Sequence, residues 1–132
     1  MEKTFYNTEH ASLSLENDII KVVFKKGPIT LDIAKKIVKQ RLSFTNKANF
    51  PVLITDNGKG ISSLDRDARE YMGTGIATTG ISASAFLTNS PLNKYIINFF
   101  LRISTKQTSF PTKIFSNEKE AIKWLENFVE KK

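Results

Sequence analysis

The densest run of chemically able residues is Asp56-Asn57-Gly58-Lys59-Gly60, set directly after the apolar run Pro51-Val52-Leu53-Ile54. Its place at the carboxyl end of an apolar run, where ligands of parallel sheets gather, makes this a candidate interaction or anion-binding loop. Ser62 and Ser63 extend it with two hydroxyls, each a candidate phosphoacceptor. The same residues also make a strand-terminating turn, because Asp and Asn form Asx-turns while Asn and Gly tolerate positive φ. Both serines equally suit the start of a helix, where a hydroxyl caps free backbone N–H groups.

Other constellations do not assemble. His10 is the single histidine and lies ahead of the first clear strand, and no Gly-x-Ser-x-Gly elbow exists for a hydrolytic triad. With no cysteine there is no disulfide, no thiolate metal site and no thiol nucleophile, and one histidine alone makes no zinc set. Asp65, Asp67 and Glu70 stand beside Arg66 and Arg69 and read as a solvated, charged helix face. The sequence thus predicts a non-enzymatic protein with no catalytic residues, no metal and no cofactor.

The elements that would position the loop follow from periodicity and punctuation. Ser12-Leu13-Ser14-Leu15 and Ile19-Ile20-Lys21-Val22-Val23-Phe24, split by Glu16-Asn17-Asp18, predict an antiparallel hairpin. Residues 1–10 fall before it and are expected to be poorly ordered. Thr30 is placed to cap a helix with Asp32 in its first turn; Leu31, Ala34, Ile37, Val38 and Leu42 form the apolar stripe, and Lys35, Lys36, Lys39 and Arg41 a basic outer face. The run from Pro51 to Asp56 has no polar alternation and suits a strand covered on both faces. A second helix carries Leu64, Ala68, Tyr71, Met72 and Gly75, and the next strand spans Gly80 to Thr88. Pro91 opens a third helix, Phe110 to Phe115 make the last strand, and Asn117 with Glu120 starts the last helix on Ala121, Trp124, Leu125 and Phe128. The order ββαβαβαβα implies an α/β fold on a mixed, mostly parallel sheet and a single domain over 1–132. Ligands in such sheets favour the carboxyl ends of the parallel strands.

The third helix, Leu92 to about Ser104, is apolar over most of its circumference, with Tyr95, Ile96, Phe99 and Phe100 prominent. It is a core helix, a homodimer interface, or, together with Phe86, the wall of an apolar pocket.

Composition bounds the rest. The 132 residues, 40% hydrophobic and 25% charged, describe an ordinary globular chain. The net charge of +7 is spread along the chain rather than clustered with aromatics, so nucleic acid is not expected as a partner. Between Tyr71 and Asn117 there is no acidic residue at all. No apolar run reaches the ~20 residues of a membrane span, and the cysteine-free sequence suits the cytoplasm.

From about Leu15 the chain resembles small bacterial STAS-like proteins of undefined function, a class that includes anti-sigma-factor antagonists and is related to CRAL-TRIO lipid-binding domains. The resemblance is carried by Gly27-Pro28-Ile29-Thr30, Pro51-Val52-Leu53-Ile54, Gly80-Ile81-Ser82-Ala83-Ser84-Ala85, Ser90-Pro91-Leu92, Asn98-Phe99-Phe100-Leu101, Pro111-Thr112-Lys113-Ile114-Phe115 and Ala121-Ile122-Lys123-Trp124-Leu125, in that order. It implies a regulatory or protein-interaction module with a protein partner. For the antagonists it implies a phosphorylatable hydroxyl after the third strand; the residues here are Ser62 and Ser63, later than the usual position. A second resemblance, of Ile54-Thr55-Asp56-Asn57-Gly58-Lys59-Gly60-Ile61 and Gly73-Thr74-Gly75 to the glycine boxes of histidine-kinase-type ATPases, implies nucleotide binding. The leading expectation is a self-associating, non-enzymatic STAS-like module. Its rivals are a carrier or sensor of a lipid or small apolar ligand, and a nucleotide-responsive protein using Asp56 to Gly60.

Overall fold

A computed structural model of the chain describes residues 2–56, 64–72, 74–88 and 110–129. The hairpin forms where the alternating run reverses: β2 (Ala11–Glu16) and β3 (Ile19–Phe24) pair antiparallel with Glu16 opposite Ile19. A two-residue loop of this kind needs left-handed backbone at both positions, and Asn17 and Asp18 supply it at φ 52° and 64°. Ahead of the hairpin, β1 (Lys3–Asn7) pairs antiparallel with β2. The expectation of a poorly ordered start is therefore corrected over these residues. Phe5 stacks on Phe44 with ring centroids 3.8 Å apart, so a mostly polar edge strand gains an apolar anchor.

Helix α1 (Leu31–Thr45) starts and stops on local chemistry. The Thr30 hydroxyl accepts from the Ile33 N–H, Asp32 lies in the first turn, and Asn46 closes the helix in the left-handed region at φ 53°. β4 (Phe50–Asp56) then runs parallel to β3, β5 (Ile81–Leu87) parallel to β4, and β6 (Thr112–Phe115) parallel to β5. The sheet thus has six strands in simple sequence order, mixed and mostly parallel.

Between β4 and β5 the expected single helix is two: α2 (Arg66–Met72) and the one-turn α3 (Gly75–Thr78). Thr74 makes the break, its hydroxyl donating to the Tyr71 carbonyl and accepting from the Ala77 N–H. Gly73-Thr74-Gly75, which echoes a glycine box in sequence, contains a helix cap in the structure. The first backbone bond of α2 runs from the Arg69 N–H to the Asp65 carbonyl, so this helix is entered at Asp65. The last helix, α4 (Glu118–Glu126), is capped as its sequence predicts, the Asn117 side chain accepting from the Glu120 N–H.

The pleat divides the core in two. On one face Leu13, Ile20, Val22, Phe24 and Val52 meet Ala34 and Ile37 of α1 and Ala68 of α2. On the other, Leu53, Ala83 and Ala85 meet Ala121 and Leu125 of α4. β4 contributes to both, which is why its apolar run is unbroken. The alanines of β5 let α4 sit close, and the Ser82 hydroxyl reaches the Phe128 carbonyl at 3.1 Å. Among the described residues no helix is long and apolar enough to cross a membrane.

Candidate functional site

The site begins with the stripe that α1 lays on the sheet. Its buried residues are Ala34, Ile37, Val38, Arg41 and Thr45, a helical recurrence with a cation at its fourth member. Lys35, Lys36 and Lys39 are exposed as expected, but Arg41 is not on that outer face: it is only 4% exposed. This corrects the basic-face reading. A long side chain on the inner stripe cannot snorkel past the neighbouring elements, so its head is enclosed along with its stem.

The enclosure is specific. One terminal N–H of the guanidinium donates to the Ala77 carbonyl, in α3, at 2.8 Å. Gly80 lies alongside at φ 79°, where a Cβ would come within 3.0 Å of the Ala48 carbonyl oxygen and would make an ordinary contact, 3.5 Å, with Arg41 Nη1. Among the described residues no carboxylate forms an ion pair with this charge. The ion pairs among the described residues are Glu9 with His10, Lys21 with Glu118 and Arg66 with Glu70. The stretch from Tyr71 to Asn117, which supplies α3, β5 and β6, contains no acidic residue that could do so. Burial accordingly pushes the Arg41 guanidinium down from its ordinary value to about 10, with Tyr71 acting in the opposite direction.

Arg41 forms part of the wall of a cavity of about 70 Å³ between α1 and the sheet. Ile37 and Val38 line it from α1, Val22 and Phe24 from β3, Val52 and Ile54 from β4, and Ser84 and Phe86 from β5. Leu64 and Met72 contribute on one side, Ala77, Thr78, Ile81, Phe110 and Thr112 on the other. At roughly 10–15 Å³ of such volume per water, the space is that of about five to seven heavy atoms. Its described lining is an apolar slot with hydroxyls at Thr78, Ser84 and Thr112 and one full charge. The charged end lies beside Gly80, just before β5 begins, at the amino ends of the parallel strands. From there the slot runs along the strands to Phe24, Ile54 and Phe86, near their carboxyl ends.

The residues singled out in the sequence fare unevenly. Phe86 is buried and lines the cavity. Asp56 ends β4 beside Phe24 of β3. Asn57, Gly58, Lys59, Gly60, Ser62 and Ser63 lie outside the described residues, as do Tyr95, Ile96, Phe99 and Phe100 of the expected dimer or pocket helix. His10 is half-buried, with Nδ1 2.8 Å from the Lys26 carbonyl. Asp65, Asp67 and Glu70 are exposed, as a solvated face requires. Among the described residues no group of acidic or histidine side chains could hold a metal ion. Arg41 is the residue that sequence reasoning missed. Its signal was present, because position 41 continues the series 34, 37, 38 as well as Leu42 does.

Fold and site can now be set against known proteins. The structure is similar to an uncharacterized protein from Shewanella loihica PV-4, of the DUF3478 family and with a SpoIIAA-like fold, at a TM-score of 0.58 and 14% identity over 95% of each chain. The domain therefore has the SpoIIAA-like, that is STAS-like, α/β fold. By sequence the chain belongs to the family of domains of unknown function DUF7793, matched over residues 13–129. A protein of unknown function from Arthrobacter sp. FB24 is 28% identical over 86% of this chain and 97% of its own, but its TM-score of 0.32 adds nothing to the fold assignment. No curated protein matches.

Proposed function

We propose that this domain is a cytoplasmic, non-enzymatic STAS-like regulatory module whose state is set by a small, largely apolar ligand held between α1 and the sheet. The observation that carries the reading is the cavity itself: an apolar slot walled by α1, β3, β4 and β5 within the main core. Empty apolar space of this kind forfeits dispersion contacts, and a ligand that fills it restores them. Binding there would join α1 to three strands at once. A partner reading the outer, basic face of α1 would thus sense an occupied core through the helix that forms its wall.

The test is a thermal-shift and NMR titration with a panel of alcohols and carboxylic acids of five to seven heavy atoms. Saturable binding to the wild type, lost in the cavity-filling variant Val38→Leu while that variant stays folded, supports the reading. A panel without a single saturable binder overturns it.

A further inference from the structure

Within that reading, and resting on it, we infer that Arg41 makes the cavity selective for a short monocarboxylate, bound with its acid group on the guanidinium and its aliphatic chain along the apolar slot. The argument starts from what the charge lacks. A guanidinium carries five N–H donors in a planar fork. Here one of them is committed to the Ala77 carbonyl at 2.8 Å, and the residue is almost fully shielded from water. No acidic side chain exists from Tyr71 to Asn117 to pair with it, and no ion pair among the described residues involves it. A cation buried in this way has every reason to accept an anion into the same space, since buried charges are paired or costly.

The properties of that anion follow from the cavity. A carboxylate matches the fork with two parallel N–H···O bonds, the strongest pairing open to arginine. Its single charge balances the single charge of Arg41, whereas a phosphate monoester would bring nearly two negative charges into an apolar slot holding one cation. The volume of about 70 Å³ limits the chain to a few carbons and leaves no room for a full-length fatty acid. The lining from Val22, Val38, Val52 and Phe86 offers the chain only hydrocarbon.

Arg41 thus acts as a specificity residue. Isothermal titration would compare pentanoate with the neutral, equal-length 1-pentanol on the wild type, Arg41→Met and Arg41→Lys. The expected result is a preference for the acid of roughly ten- to hundredfold on the wild type, as a charge-assisted hydrogen-bonded pair implies. Arg41→Met should lose that preference yet still bind the alcohol, which shows that the cavity and fold persist. Arg41→Lys should retain only part of the preference, since an ammonium keeps the charge without the fork. Equal binding of acid and alcohol by the wild type would overturn the role of Arg41 and leave the cavity reading standing. Absence of binding by either compound would overturn both.

Discussion

Replacing Arg41 by methionine should stabilise the ligand-free domain, and the size of the effect can be worked from its surroundings. Burial lowers the guanidinium to about 10, roughly two to three pKa units below its ordinary value. At about 1.36 kcal/mol for each unit, holding the charged form in the fold costs on the order of 3 kcal/mol. Methionine is of comparable length, apolar and adaptable, and it removes that cost. Against this stands the hydrogen bond to the Ala77 carbonyl, whose loss costs about 1–2 kcal/mol because the carbonyl is left in a buried setting. The net expectation is a gain of about 1–2 kcal/mol, or a Tm rise on the order of 4–8 °C for a domain of this size. The sign of the pH dependence is fixed as well. The folded state binds Arg41's proton less tightly than the unfolded state, so the penalty is full below pH 10 and fades only as pH rises above it. The gain in Arg41→Met should therefore be the same at pH 6 and pH 8. Urea unfolding, with the midpoint displaced at constant slope, measures it. A variant less stable than the wild type by 1 kcal/mol or more would refute the reasoning, because it would mean that Arg41 is compensated in the ligand-free fold.

Other outcomes are expected from the same structure. Gly80→Ala should lose about 2–3 kcal/mol in urea unfolding, since a left-handed alanine alone costs roughly 1–2 kcal/mol and its Cβ would sit 3.0 Å from the Ala48 carbonyl oxygen. Asn117→Ala should cost about 1 kcal/mol by removing the cap of α4, while Asn117→Asp should be close to neutral. Phe5→Ala should accelerate amide exchange across Lys3–Asn7 far more than in β4, because the stack on Phe44 anchors an edge strand and not the sheet centre. Lys21→Ala should change stability by less than about 1 kcal/mol, as its pair with Glu118 is partly solvated.

Much of this architecture is legible in the residues because it is decided within a few positions of chain. The Asn17-Asp18 turn, the Thr30 and Asn117 caps and the two-faced run of β4 each follow from local sterics, local hydrogen bonds or local hydropathy. The strand Lys3–Asn7 was not legible, since three of its five residues are polar and exposed and its anchor, Phe44, is distant in sequence. Nor was the break between α2 and α3: the Thr74 cap competes with a continuing helix, and Gly73-Thr74-Gly75 carries an unrelated resemblance.

The sequence by itself determined the class of fold and the absence of acid from Tyr71 to Asn117, because both are properties of composition and period. The tertiary structure alone decided where Arg41 points. Successive residues on a helix are about 100° apart, so Arg41 and Leu42 could each have ended the apolar stripe. The hydrogen bond to the Ala77 carbonyl holds Arg41 inward, and that turn converts one more surface cation into the charged end of a buried slot.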